Sequence, residues 1–181
     1  MAEDFELPET AEEHPSDPHV LPVSLTISIL AVLVAAVTLL GHRAHTEELL
    51  LQSQATDQWA FYQAKNIRLH EMQGMVDLLG TITPLDKEKN TALREKYAKE
   101  VERYDDDKEK VSDKAKDLEK ERDTVSRRAD RFDGGEALLE IGLVICSITL
   151  LTKRKAFWIT GIVVAIVGLI FAATGFLIRL Q

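Results

Sequence analysis

Hydrophobic and polar residues occupy separate blocks along this chain of 181 residues. Three blocks are apolar, at 21–40, 137–151 and 156–178, whereas the residues before and between them are rich in charge. The first block holds about twenty residues without a charge, the length that crosses a hydrocarbon core of roughly 30 Å. The pattern therefore predicts an all-α membrane protein with three transmembrane helices.

The predicted organisation follows these blocks in chain order. We expect an acidic disordered tail at 1–20, a first transmembrane helix at 21–41, and a rising helix at 42–80 that is continuous with it. A turn and a descending helix follow at 81–133, then a second transmembrane helix at 134–152, a short basic turn at 153–157 and a third transmembrane helix at 158–178. The tail has seven acidic residues and no Lys or Arg, which is typical of a disordered segment and not of a signal peptide.

The charged region between the first two blocks carries a seam of residues in alternating steps of four and three. The rising segment places Leu51, Ala55, Gln58, Tyr62, Lys65, Leu69, Met72, Val76 and Leu79 on this seam. The descending segment places Tyr97, Val101, Tyr104, Val111, Ala115, Leu118, Val125, Ala129 and Phe132 there, and only Lys108 and Arg122 interrupt its heptad spacing. Such spacing is typical of helices that pack as a coiled coil. A short turn between them predicts a long antiparallel helical hairpin.

Glycines and capping residues predict where these helices end. We expect Gly80 to be the C-cap of the rising helix. Thr83 is expected to be the N-cap of the descending helix, with Pro84 at its first position. The pair Gly134–Gly135 is expected to break the helix just before the second span. The descending arm is longer than the rising arm. Two explanations stay open, a bend near 105–107 or a segment at 127–132 that lies along the membrane surface.

Two apolar blocks carry small residues at helical spacing, which allows close helix packing in a membrane. The first span has Ser24, Ser28, Ala31, Ala35 and Thr38, and the third has Gly161, Ala165, Gly168, Ala172 and Gly175. We expect the third span to lie close to the first span or to another copy. Outside the membrane, Trp59, Phe61 and Tyr62 cover most of a helix circumference, so we expect a third surface, such as a neighbouring protomer, to pack there.

Few residues suggest chemistry. Glu140 is the one acid within an apolar block, and it is either an intramembrane polar site or a carboxylate that reaches the headgroups. His42, His45 and Glu48 have helical spacing but lack a fourth zinc ligand, and Asp105–Asp107 lacks the turn glycine of a calcium loop. We therefore predict no metal, no cofactor and no catalytic residue.

Charge and cysteine content exclude further classes. The net charge of −8 comes mostly from the tail, and no basic footprint for nucleic acid is present. The single cysteine, Cys146, lies in the second apolar block, so no internal disulfide forms. Because no phosphate loop or nucleophile elbow occurs either, we expect a protein that is not an enzyme.

Several strings resemble the bacterial DUF4337 membrane proteins, a domain of unknown function. They are Gly41-His42-Arg43, Thr46-Glu47, the run from Asp57 to Lys65 (DQWAFYQAK), and the basic turn followed by Phe157-Trp158. The resemblance covers about Leu21 to Ile178. It implies a small integral membrane protein of bacteria with three spans, and it supplies no activity and no catalytic residue.

These observations favour a self-associating scaffold that displays a partner-binding hairpin, with the lipid bilayer and further copies of the chain as its partners. The alternative is a subunit of a small oligomeric channel, in which Glu140, Thr149 and His42 face water. Lys153–Lys155 in the short loop favours a cytoplasmic turn, which places the hairpin on the periplasmic side of a bacterial inner membrane. Against this, Arg127, Arg128 and Arg131 flank the second span on the hairpin side.

Overall fold

Three α-helices make up nearly all of the residues that the computed structural model describes, which are residues 20–178. They are α1 (Val20–Thr81), α2 (Lys87–Thr152) and α3 (Lys155–Ile178), and this part of the chain contains no strand. Each helix includes a segment long and apolar enough to cross a membrane. The prediction of an all-α chain with three helices of membrane-spanning length is confirmed. The disordered tail predicted at 1–20 lies, except for Val20, outside the described residues.

Helix α2 passes through Gly134 and Gly135 without interruption, so the prediction of a break there was wrong. The reason is packing against α3: a Cβ on Gly135 would lie 2.5 Å from the Cβ of Ala172. Glycine is needed here for a close approach between helices. A helix interior tolerates it where a neighbouring helix covers the exposed backbone.

The turn between α1 and α2 differs from the sequence prediction in its caps. The Asp86 carboxylate accepts a hydrogen bond from the backbone N–H of Lys89 at 3.1 Å, so Asp86 is the N-cap of α2, and Thr83 is not. No glycine in the described range has a positive φ, so Gly80 does not form the predicted left-handed C-cap. Asp86 caps α2 in place of Thr83. Helix α2 therefore begins at Lys87, three residues after Pro84.

The described residues form two compact units. The three-helix unit comprises α1 up to Leu39 together with Phe132–Ala173, and the arm unit comprises Leu40–Arg131 together with the end of α3 from Thr174. In the three-helix unit, buried α1 side chains recur every seven residues at Val23, Leu30 and Val37, and those of α2 do so at Phe132, Leu139 and Cys146. This spacing is typical of helices that share a continuous seam.

In the arm unit, later residues of α1 contact earlier residues of α2. The side-chain pairs, in order along α1, are Gln52 with Arg122, Trp59 with Glu119, and Lys65 with Asp107. The Asn90 side chain reaches the carbonyl of Leu79 near the turn, at 3.4 Å. All of the seam residues identified from the sequence are buried or half-buried. The segments at 105–107 and 127–132 both continue as α-helix.

Candidate functional site

A close helix contact in the three-helix unit joins α2 to α3 through two glycines that face each other. A Cβ on Gly161 would lie 2.8 Å from the carbonyl oxygen of Gly142 and 2.5 Å from the Sγ of Cys146. A Cβ on Gly142 would lie 2.7 Å from the carbonyl oxygen of Gly161. These separations leave no room for a side chain at either position, so the two backbones are in direct contact.

A second contact of the same kind lies seven residues along each helix. A Cβ on Gly168 would lie 2.9 Å from the carbonyl oxygen of Gly135, and Gly135 also approaches Ala172. All five small residues identified on the third span, Gly161, Ala165, Gly168, Ala172 and Gly175, are buried. Gly161, Ala165, Gly168 and Ala172 have α2 as a close neighbour, where the first span or another copy was expected. Gly135 and Gly142, with the same seven-residue spacing on α2, are the sequence signal that would have identified this partner.

The small residues identified on the first span are not brought into this packing. Ser28, Ala31 and Ala35 lie on an exposed face of α1. The polar link between α1 and α2 in the three-helix unit is made by Thr38, whose hydroxyl is 2.6 Å from Oε1 of Glu136 and donates to it. This pair has no local signal in the sequence, because its two residues are 98 positions apart.

The aromatic cluster divides between a covered part and an exposed part. The Trp59 indole N–H donates to Glu119 at 2.9 Å, and the Trp59 and Tyr62 rings meet edge to face with centroids 5.5 Å apart. Phe61 is left 59% exposed. The pair of helices therefore leaves one of the three aromatic side chains without a covering surface.

Phe61 belongs to a larger exposed apolar face of α1 in the arm unit. We call this face the outer stripe; its large members, all between 45 and 70% exposed, are Leu49, Leu50, Phe61, Ile67, Met75 and Leu78. The face also includes Ala60 and Ala64. By the helical spacing of about 100° per residue, Leu49, Ile67 and Leu78 lie opposite the buried residues Leu51 and Leu69. Phe61 lies at the edge of the stripe, about 80° from those buried residues.

The exposed face of α2 in the arm unit is charged, unlike the outer stripe. It carries ion pairs between residues three apart, such as Lys120 with Asp117 at 2.9 Å and Lys116 with Asp113 at 3.6 Å. Such exposed pairs contribute little stability but keep the surface hydrated. The arm unit therefore has an apolar side on α1 and a charged side on α2.

Two of the three aspartates at 105–107 form ion pairs with lysines on different helices. Asp105 pairs with Lys108 on its own helix, and the Lys65 ammonium of α1 donates to Asp107 at 2.7 Å. This hydrogen bond is the main reason that the pKa of the Asp107 carboxyl is lowered. His45 lies 3.3 Å from Glu48, and within residues 20–178 no group of three or more His, Cys, Asp or Glu side chains is placed to hold a metal ion.

In the channel alternative, Glu140, Thr149 and His42 all face water. The structure does not expose all three of these residues. Glu140 is exposed, as is Ser147 seven residues later on α2. Thr149 is instead buried, at 7% exposure. His42 is exposed in the arm unit. The structure thus places Glu140 with Ser147 and separates both from Thr149.

The comparisons with known proteins give one result that identifies the chain. No curated protein and no solved structure matches it. A family model, described as a domain of unknown function, matches residues 21–178, which includes all three helices. The chain therefore belongs to the DUF4337 family.

Proposed function

We propose that this protein is a non-enzymatic membrane scaffold that self-associates through α1. In this proposal the three apolar segments span the bilayer, and α1 and α2 of the arm unit form an antiparallel coiled-coil hairpin. Support for the hairpin comes from the reversed order of the α1–α2 contacts and from the burial of the seam residues.

The observation that carries the proposal is the outer stripe. Six large apolar side chains are exposed along one side of α1, and a concentration of exposed apolar side chains outside a membrane marks an interaction site. The stripe lies in the charged region of the chain, where lipid would not cover it. A protein surface is therefore the occupant that its chemistry requires.

A second copy of the chain fits this requirement. Membrane insertion would hold every copy in the same orientation, so identical outer stripes on parallel α1 helices would face each other at matching heights. Confinement to a membrane also raises the effective concentration of one copy near another. Within the three-helix unit, the exposed small residues Ser28, Ala31 and Ala35 would let two α1 helices approach closely.

The test is the mass of the full-length protein in detergent, measured by size-exclusion chromatography with light scattering. The wild type should be oligomeric, and the double variant Phe61→Glu/Ile67→Glu should be monomeric, because it places carboxylates in the stripe. A matched control, Lys99→Glu/Lys114→Glu, adds two carboxylates to α2 and should stay oligomeric. A wild type that is strictly monomeric would overturn the proposal.

Glu140 supports the second candidate, a subunit of an oligomeric channel. Its carboxylate and the Ser147 hydroxyl lie on the exposed face of the α2 apolar segment, where lipid is a poor environment for them. In an oligomer these faces could surround a water-filled path. Ion flux into liposomes, abolished by Glu140→Gln, would favour the channel. A hairpin that captures a protein partner without its spans would favour the scaffold.

The proposed location is a bacterial inner membrane, with the arm unit in the periplasm. The basic residues Lys153–Lys155, which form the two-residue connection between α2 and α3 and the first residue of α3, support a cytoplasmic turn. A cysteine introduced at Ser112 should react with an impermeant maleimide in intact cells. Reaction only after permeabilisation would reverse the orientation. Native Cys146 is fully buried and contributes little background.

A further inference from the structure

The exposed side of α1 in the arm unit has a period of seven residues. Five exposed positions with this spacing run along its middle, and we call them the outer spine: Thr46, Ser53, Ala60, Ile67 and Gly74. All of them except Ile67 are small. The covered seam of α1 has the same period, as at Leu51, Gln58 and Lys65, so the outer spine stays on the opposite side of the helix along the whole arm.

Two rows of exposed side chains flank the outer spine. They lie three and four residues after each spine position, which places them about 51° to either side of it when seven residues make two turns. The first row is Leu49, Thr56, Gln63, His70 and Asp77, and the second row is Leu50, Asp57, Ala64, Glu71 and Leu78. All ten of these residues are exposed.

Copies inserted in one membrane share one orientation, so two of them can pair about a twofold axis parallel to α1. With the outer spines in contact, this symmetry places the first row of each copy beside the second row of the other, at nearly the same height. Packed helix axes are roughly 8–10 Å apart, and the Cβ atoms of the two rows would then be roughly 4–6 Å apart. Side chains at that separation interact directly.

The two rows complement each other in this arrangement. Leu49 meets Leu50 of the second copy, and these side chains are 70% and 58% exposed in the single chain. His70 meets the Glu71 carboxylate of the second copy. Within residues 20–178, neither His70 nor Glu71 makes an ion pair. The twofold axis generates each of these contacts twice.

The charged positions of the rows also distinguish between registers. A slip of one heptad would place Glu71 of one copy beside Asp77 of the other, and like charges at facing positions are destabilising. The same slip would move His70 beside the apolar side chain of Leu78. The aligned register is therefore the one that pairs opposite charges.

We propose that two copies of this chain pair in parallel along the outer spine, and that the contact between His70 of one copy and Glu71 of the other fixes their register. This inference rests on the proposed self-association through α1. It adds the symmetry axis, the residues at the axis and a polar contact that selects the partner's alignment.

Exchange of the charges at positions 70 and 71 tests this contact in the full-length protein. The dissociation constant is measured by light scattering over a dilution series in detergent. His70→Glu should weaken self-association about tenfold, because two carboxylates then face each other on both sides of the axis. His70→Glu/Glu71→Lys should restore the wild-type constant to within about threefold, because opposite charges face each other again. Adjacent residues of one helix do not face each other, so this rescue requires a second copy.

Gln73→Glu is the matched control for the charge exchange. It adds a carboxylate one turn along the same helix, at a position about 103° from the outer spine. The dissociation constant should therefore change by less than about twofold, as for an exposed surface charge.

Disulfide cross-linking tests the position of the axis. Ser53→Cys and Ala60→Cys lie on the outer spine, so each should form a disulfide-linked dimer on oxidation. Asn66→Cys, about 103° away from the spine, should stay monomeric on a non-reducing gel. Native Cys146 is fully buried and contributes little background.

Two outcomes would overturn the pairing and leave self-association intact. They are an oligomer in which the charge exchange gives no rescue, and one in which Asn66→Cys cross-links but Ser53→Cys does not. A wild type that is strictly monomeric would remove both the pairing and the proposed scaffold. Failure of this inference is therefore distinguishable from failure of the proposed function.

Discussion

The direct backbone contact between α2 and α3 predicts that Gly161→Ala will separate the two helices. The added methyl group would lie 2.5 Å from Cys146 Sγ and 2.8 Å from the Gly142 carbonyl oxygen, whereas ordinary contacts begin at about 3.4 Å. The helices must therefore move apart by roughly 0.6 to 0.9 Å. A gap of that size forfeits a quarter to a half of the dispersion energy of each affected atom pair.

We expect Gly161→Ala to lower the free energy of unfolding by about 1–3 kcal/mol, the usual cost of overpacking. Gly142→Ala should cost a similar amount, because its Cβ would meet the Gly161 carbonyl oxygen at 2.7 Å. The double variant should cost less than the two single costs together, since the first separation already makes room for the second methyl group. Unfolding of the full chain in a mixed-detergent titration, followed by circular dichroism, provides the measurement.

Gly74→Ala is the matched control for this experiment. Gly74 is also inside a helix, but a Cβ there would meet nothing within 4 Å. Alanine should therefore stabilise the protein by about 0.5–1 kcal/mol through its better helix propensity. If Gly161→Ala were as stable as the wild type, or gained stability like Gly74→Ala, the interpretation of a direct backbone contact would be refuted.

Three further experiments, with four substitutions, test the arm and the bundle. Asp86→Ala should lower the free energy of unfolding by about 1 kcal/mol, because it removes the N-cap of α2. Thr83→Ala should change that free energy by no more than about 0.5 kcal/mol. Thermal melts in which Thr83→Ala is the more destabilising of the two would contradict this assignment. Because Lys65 lowers the folded pKa of Asp107, the stability from this pair is present above the unfolded value of 3.8 and is lost as pH falls through the lower folded pKa. Melts in acid should therefore show a shallower pH dependence for Asp107→Asn, and equal slopes would count against the pair. Thr38→Val should cost about 1–3 kcal/mol, because Glu136 loses its donor, and an unchanged detergent unfolding curve would show that this hydrogen bond is dispensable.

The sequence allowed the helices to be predicted because its strongest signals are periodic. Steps of four and three placed Leu51, Ala55 and Leu69 on one face of α1, and all three are buried. Apolar block lengths likewise predicted three helices that could cross a membrane. These signals depend only on local spacing, which a single sequence contains.

Features that depend on a contact between distant residues, or on a choice between two nearby capping residues, could not be predicted in the same way. Gly135 looked like a helix breaker because its partner, Ala172, lies 37 positions away, and two residues in the turn could each have capped α2. The unsatisfied hydroxyl of Thr149 could be recognised only from coordinates, because nothing in the local sequence shows that it lacks an acceptor within residues 20–178. The outer stripe was only partly foreseen: Phe61 was expected to need a covering surface, but Leu49, Ile67 and Leu78 were not connected with it.

Cys146, the sole cysteine, has no solvent exposure and lies against Gly161. Its thiol is therefore a native reporter of whether α2 and α3 remain together. A small maleimide should react slowly with the intact protein and faster when the glycine contact is forced open. Movement of these two helices can thus be followed in cells or vesicles without introducing a label site, as a rate of alkylation at a single atom.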